Sequence, residues 1–327
     1  MSQNSAIEWT DATWTIVQGC DLVSPGCTHC YVPRVLWRLM HNPNPAISSA
    51  LQGTVRKTDK NDIVFTGKVV CREDRLTWPL EWKKPQKIFV PSHGDIFHED
   101  VPDSFIDRIF AVMAMCPQHT FQVLTKRPER MRDYMLTSGV VARISMRMCD
   151  LDESNEGTPL LTGIIPNVWL GVSVEDQARA DERIPHLLAT PAAVRFLSCE
   201  PLLGAVDLTW VAEPDDQKDG VIDALLGCNW IDGMGHGEPY FPSRPGHLGR
   251  RMTRQVVSTE AEILTHRKID WVIAGGESGP GKRPINLEWM RSLRDQCHDA
   301  GIPFFGKQWD KVQALPSDLM VREFPHV

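Results

Sequence analysis

From about residue 87 the chain repeats one alternation: a short apolar run, a polar tip, then a stretch of helical periodicity. Lys87-Ile-Phe-Val-Pro91 ends in Ser92-His93-Gly94-Asp95, and 103–115 follows with Phe105, Ile106, Ile109, Phe110 and Met113 on one helical face. Phe121-Gln-Val-Leu-Thr125 ends in Lys126-Arg127, and 128–135 reads as its helix, with Pro128 in the first turn, where a missing N–H is tolerated. The run 168–172 ends in Ser173-Val-Glu175 and leads into a helix over 176–188. The run 194–198 ends in Cys199-Glu200-Pro201, and 270–274 ends in Gly275-Gly276-Glu277-Ser278-Gly279. Last come a helix over 286–300, with Gly301 placed to cap it, and a strand over 302–305 that runs into Lys307-Gln308-Trp309.

Upstream, 13–19 is a first strand candidate and 32–40 a helix with an early proline. Short, continuously apolar strands fit a buried parallel sheet, and their alternation with helices fits an α/β fold. Nearly every strand finishes in polar residues, as a barrel with its active site on the C-terminal face requires. The pattern therefore predicts a single α/β domain over 1–327, a partial (β/α) barrel of TIM-like type; a doubly wound open sheet is the competing architecture. Residues 41–70 read as an irregular connection and 73–84 as a short helix or turn around Trp78 and Trp82. Two irregular insertions are expected at about 136–165 and 205–268, the second carrying Arg250, Arg251 and Arg254 and suited to a lid or substrate-recognition element.

Composition narrows the classes. Apolar residues make up 42% and charged residues 24%, an ordinary globular balance, and no apolar run approaches a membrane span. Residues 1–9 lack the basic start and apolar core of a secretory signal, which predicts a reducing cytoplasm. Nine cysteines there read as ligands and buried thiols. A formal charge of −7 argues against coating duplex DNA by charge alone, although a local basic rim would suffice for a nucleic-acid substrate.

The densest chemistry is Cys20-Asp-Leu-Val-Ser-Pro-Gly-Cys27-Thr-His-Cys30-Tyr31, in which Ser24-Pro25-Gly26 supplies a turn that folds the first thiol toward the other two. Three thiolates make a soft-metal site. A structural zinc site wants four protein ligands, so an iron–sulfur cluster with one open iron is the leading reading. Zinc with His29 or His98 as fourth ligand, or plain buried thiols, are the alternatives. Cys199, Glu200 and Lys126 are candidate catalytic groups; for Cys199 a small core residue is the competing role. Ser173 with Glu175, and Ser198 with Glu200, stand two apart, so each pair can line one cavity, or else bridge to Lys126 or Arg127. Lys126, Arg127, Arg283 and Lys307 could together hold a carboxylate or phosphate. Gly275 and Gly276 permit close approach to a ligand, and Glu277 could bind an amine or hydroxyl.

With the cysteine loop after the first strand and the α/β rhythm both in view, the chain resembles the radical S-adenosylmethionine enzymes. Their commonest cysteine spacing is three residues and then two; here it is six and then two, and His29 stands where an aromatic residue usually precedes the last cysteine. More particularly, the chain resembles a family of uncharacterised phage and bacterial three-cysteine proteins. The resembling segments are Ile7-Glu-Trp-Thr10, 19–31, 92–100, Leu124-Thr-Lys-Arg-Pro128, 171–175, 197–201, 275–279 and 304–309. The resemblance implies a [4Fe–4S] cluster on Cys20, Cys27 and Cys30, S-adenosyl-L-methionine chelated at the open iron, and its one-electron cleavage to a 5′-deoxyadenosyl radical. It also implies an electron donor such as flavodoxin or ferredoxin. Where the superfamily carries a glycine–glycine–glutamate segment on its second strand, this chain has Ser92-His93-Gly94-Asp95. Asp95, with Ser92 beside it, is therefore the candidate amine contact, an Asx-type turn being the alternative. Ser173, Glu175 and Ser198 would suit the ribose and methionine moieties. A phage setting points to modification or repair of a nucleotide or DNA base, in the host cytoplasm if the chain is phage-encoded. A metal-stabilised, non-enzymatic nucleic-acid-binding or partner protein is the alternative. A zinc hydrolase or deaminase ranks last, since neither His-Glu-x-x-His nor a His-x-Glu paired with a following Cys-x-x-Cys is present.

Overall fold

Seven strands stand side by side in the order in which the chain makes them. They are β1 (Ala12–Thr13), β2 (Lys87–Val90), β3 (Thr120–Thr125), β4 (Val168–Ser173), β5 (Val194–Cys199), β6 (Trp271–Gly275) and β7 (Phe304–Gln308), each parallel to the next. A doubly wound sheet reverses its strand order at a switch point. This sheet never reverses, so it is the wall of a half-barrel, open between β1 and β7. The computed structural model describes residues 5–151, 161, 163–212, 220–232, 252–255, 267–277, 281–310 and 313–326.

The longer helices among the described residues are α1 (Val32–Met40), α2 (Asp103–Ala114), α3 (Pro128–Leu136), α4 (Val140–Leu151), α5 (Gln177–Ala189) and α6 (Leu287–Ala300). Asp176 caps α5 by accepting from Arg179 N at 2.9 Å, Asn286 caps α6 by accepting from Glu288 N at 3.0 Å, and Gly301 ends α6 with φ +66°. Every residue of β4 and β6 is buried, as strands covered on both faces should be. Successive residues feed two different cores. Val172, Leu197, Val272 and Ala274 pack under the helices with Phe110, Ile184 and Leu293. Trp169, Phe196, Trp271, Ile273 and Phe305 point the other way and meet Trp9. Trp9 lies against Phe89, Phe196 and Trp271 with centroids 4.9, 6.4 and 6.3 Å away. The buried indole N–H of Trp271 donates to Glu323 O at 2.9 Å. This aromatic floor fills the inner face of the sheet and leaves Ser173 and Ser198, in register on adjacent strands, on the same face beyond it.

Four expectations need correction. The first strand candidate splits: Val17–Gly19 leaves the main sheet and pairs with Val70–Cys71 and His93–Gly94. The irregular 41–70 connection contains the hairpin Val55–Lys57/Ile63–Phe65, packed on α1 through a separate small core of Val32, Leu36, Leu51 and Val55. The 136–165 insertion contains helix α4. In 205–268 the described residues form a four-stranded antiparallel sheet of Val211–Ala212, Gly220–Asp223, Cys228–Asp232 and Met252–Gln255, strands too short to show a period. Arg254 lies on the last of these; Arg250, Arg251, Ser278 and Gly279 lie outside the described residues. Among the described residues no helix is long and apolar enough to cross a membrane.

Candidate active site at the strand tips

The Cys20–Cys30 loop is fastened across the C-terminal tips of the sheet, mostly by residues one to a few places past a strand. Glu175, past β4, accepts from Gly26 N at 3.2 Å. Arg283, past β6, donates to Pro25 O at 3.0 Å. Arg127, past β3, donates to Cys20 Sγ at 3.6 Å and pairs with Asp21. Past β2, Ser92 O accepts from the Tyr31 hydroxyl at 3.0 Å, and Ser92 Oγ lies 2.9 Å from Thr15 Oγ1. The loop is thus held by four different strand ends.

Most tip carboxylates are already matched to a cation. Glu175 and Arg183 meet at 3.0 Å with side chains 1% and 0% exposed, and Arg183 also donates to Ser173 O at 2.9 Å. Glu200 and Lys307 form an ion pair at 2.8 Å. Glu277 receives Arg283 Nε at 3.1 Å and Arg283 N at 2.7 Å; burial works against its ionisation, but these bonds and the Arg283 charge hold its carboxyl below the usual range. Asp95 accepts from Phe97 N at 2.9 Å, Thr125 Oγ1 at 2.8 Å, Lys126 N at 3.1 Å and Arg127 Nη1 at 3.2 Å. Its oxygens are engaged in an Asx-type turn and in tying β2 to β3, so the alternative reading describes its geometry. Lys126 differs: its Nζ donates to Ser173 Oγ at 3.0 Å, its charge acts on Cys30, and it makes no ion pair among the described residues.

Four other candidates, Cys199, His98, Gly275 and Gly276, sit differently from expectation. Cys199 does not open on the mouth: alternation puts Ser198 on the inner face, and Cys199 is fully buried in the helix-side core, where burial pushes its thiol far up. His98 is engaged by Asp100 and Asp21. Its Nδ1 accepts from Asp100 N at 3.1 Å, and its Nε2 lies 3.3 Å from Asp21 Oδ1. A Cβ on Gly275 would meet Glu200 Oε1 at 2.9 Å, and one on Gly276 would meet Trp309 O at 2.2 Å. The close approach these glycines permit is therefore to the protein itself.

Burial raises the Cys20 thiol to about 11, with Asp95 adding to it and Arg127 opposing. Cys30 is raised by burial and opposed by the backbone and by Lys126. Metal loading would therefore have to release protons. Among the described residues no three His, Cys, Asp or Glu side chains are grouped to hold a metal ion. A single zinc needs its donors to meet at one point. The thiolates of an iron–sulfur cube each take a different iron, so the donor chemistry of three cysteines beside two cations fits a cube better than zinc.

Two surface clefts of about 580 and 320 Å³ lie on the helical flank, one lined by Asp223, Arg291 and Asp295, the other by Glu129, Arg130 and Asp133. Arg291 is paired with Glu288 and Asp318, and Arg130 with Asp103, so neither cleft offers convergent free chemistry. Arg183 was missed from the sequence, although a signal existed: it interrupts the apolar stripe Ala180, Ile184, Leu187 of α5, and a cation there needs a buried partner.

Residues 4–321 match the profile of a family described as a protein of unknown function, DUF5131. No curated protein and no solved structure matches the chain.

Proposed function

We propose that the chain, which belongs to the DUF5131 family over residues 4–321, is a radical S-adenosylmethionine enzyme whose Cys20, Cys27 and Cys30 hold a [4Fe–4S] cluster. The observation that supports this reading is the position of the three-cysteine loop, fastened across the tips of a parallel half-barrel beside Lys126, Ser173 and Ser198. When bound, the cluster and S-adenosyl-L-methionine would supply a one-electron cleavage of the sulfonium carbon–sulfur bond and a carbon radical able to abstract hydrogen. The chain's own part is binding and shielding. Lys126 orients a carboxylate or phosphate, and Ser173 and Ser198 take hydroxyls. Asp95 acts as a positioning residue, fixing the backbone of Lys126 and the side chain of Arg127. The floor of Trp9, Phe196 and Trp271 keeps water from below. Modification or repair of a nucleotide or nucleic-acid base, with a flavodoxin- or ferredoxin-like reductant in a reducing cytoplasm, is the reaction setting this reading takes.

Protein purified without oxygen should be brown and carry about four irons per chain, lost when Cys20, Cys27 or Cys30 is replaced by Ala. Reduced and given S-adenosyl-L-methionine, it should release 5′-deoxyadenosine. A colourless zinc protein, or a four-iron protein that releases none, would refute the reading. The second outcome would favour the metal-stabilised binding protein instead.

A further inference from the structure

We infer that α1 and the hairpin that follows it hold the phosphate backbone of a nucleic-acid strand beside the mouth. This builds on the proposed nucleotide or nucleic-acid substrate and makes that substrate a polymer. Arg34, Arg38, Arg56, Lys57, Lys60 and Lys68 are all exposed and face only two carboxylates in the same stretch, Asp59 and Asp62, within a chain of net charge −7. Among the described residues none of the six makes an ion pair. Arginines elsewhere are mostly matched: Arg72 to Asp74, Arg127 to Asp95, Arg183 to Glu175, Arg283 to Glu277 and Arg294 to Asp318. Like charges gathered without partners repel, so their counter-charge is best supplied from outside.

The placement suits a strand. Arg34, Arg38 and His41 recur on one face of α1, opposite the buried Val32 and Leu36. That helix starts directly after Cys30 and Tyr31, and Arg38 lies near enough to His93, past β2, to repel a proton from its imidazole. The stripe therefore runs outward from the cysteine loop. α1 spans about 13 Å, room for a few backbone phosphates spaced about 3.4 Å along a duplex axis. Aromatic side chains are interleaved with the cations: Tyr31 is 43% exposed with its hydroxyl tied to Ser92 O, and the Trp37 ring lies tilted against His41 with centroids 4.3 Å apart. An exposed Tyr31 ring and a half-buried Trp37 beside a cationic track suit bases as well as phosphates, which an acidic polypeptide would not use.

The test is fluorescence anisotropy of a labelled oligonucleotide of about twenty nucleotides, single-stranded and duplex, with the full chain and no S-adenosyl-L-methionine or reductant. If all six cations engage, log K should fall against log salt with a slope of about −4 on a single strand and about −5 on a duplex. Arg34→Glu with Arg38→Glu should weaken binding at least about tenfold and flatten the slope by about 1 to 2. Lys83→Glu with Lys84→Glu makes the same charge change on exposed lysines before β2 and should leave both unaltered. No binding at low salt, equal effects of the two double variants, or displacement by polyglutamate as readily as by unlabelled oligonucleotide would each overturn the inference. The readout needs no cluster. A failure here leaves the radical chemistry standing, and a colourless protein that binds in this way leaves this surface standing.

Discussion

Removing the Glu175 carboxylate should both unfasten the cysteine loop and strand a charge in the core. Glu175 and Arg183 are sealed from water, and the carboxylate has two clients: the guanidinium at 3.0 Å and Gly26 N at 3.2 Å. Breaking a buried pair by deleting one partner costs about 3–5 kcal/mol, because the survivor keeps its desolvation penalty without its counter-charge. Domains hold only about 5–15 kcal/mol in total, so Glu175→Ala should take a large share of the stability and Arg183→Met a similar one. Replacing both by apolar residues, as in Glu175→Leu with Arg183→Met, removes the stranded charge. The double variant should then lose less than the two single losses added, with a coupling of about 3 kcal/mol. The Gly26 tether stays broken in that variant, so stability and loop order come apart: urea unfolding should recover while iron uptake on anaerobic reconstitution stays low. Urea titration by tryptophan fluorescence reads the first quantity and iron analysis the second. A loss under about 1 kcal/mol for Glu175→Ala, the range of an exposed pair, would refute the reasoning. So would strict additivity in the double variant.

Burial, then Arg75 and Arg38, pushes the His93 imidazole down to about 4. Its folded form resists a proton that the unfolded form accepts near pH 6.5, so its contribution is present above about pH 6.5 and is lost as pH falls toward 4. That loss is about 2–3 kcal/mol after allowance for partial exposure, and His93→Gln should flatten the stability–pH profile there; an unchanged profile would count against it. Gly19 has φ +98°, and a Cβ there would meet Lys68 O at 2.1 Å. Gly19→Ala should therefore cost more than about 1 kcal/mol in urea and lower iron uptake at the adjacent Cys20. Cys199→Ala, on the helix side, should cost about 1 kcal/mol yet leave 5′-deoxyadenosine release per iron unchanged; loss of release would return Cys199 to the site. Trp9→Ala empties the inner floor and should cost about 3–5 kcal/mol, read by the same titration.

The sheet was legible because its strands are buried on both sides and so read as unbroken apolar runs with polar tips. From β2 to β5, and from β6 to β7, strand order followed from the same rhythm, since the intervening helices return the chain to the next place in the sheet. Helix α4 left a weaker trace, Val140, Ile144 and Met148 at four-residue spacing, hidden by Arg143 and Arg147 between them. The hairpin at 55–65 left none, because strands of three residues are too short for a period. At the site, period two carried a constraint that the sequence reading did not apply: Ser198 and Cys199 cannot both face the cavity, and the core composition decides for Ser198. Which residues pair was not legible, although the place of Arg183 in an apolar stripe marked it as needing a partner. Glu175 to Arg183 spans strand tip to helix, and Glu200 to Lys307 joins residues 107 positions apart, distances no local pattern encodes.

Those pairings also bear on what the mouth can admit. S-adenosyl-L-methionine carries a sulfonium cation and an ammonium beside a single carboxylate, so a ring of free arginines and lysines would repel most of it. Arg127 stands between two carboxylates, Asp21 and Asp95, and Arg183, Arg283 and Lys307 are each matched to one, so the mouth is close to neutral with Lys126 included, and Lys126 is the mouth cation that makes no ion pair among the described residues. One unmatched ammonium is suited to one carboxylate. A polyanion needs the opposite arrangement, many unmatched cations on open surface, and that arrangement occurs outside the mouth, on α1 and its hairpin. The acidic balance of the chain is then compatible with a nucleic-acid substrate, because cations at the mouth are neutralised one by one and the unpaired ones are concentrated where a backbone can lie.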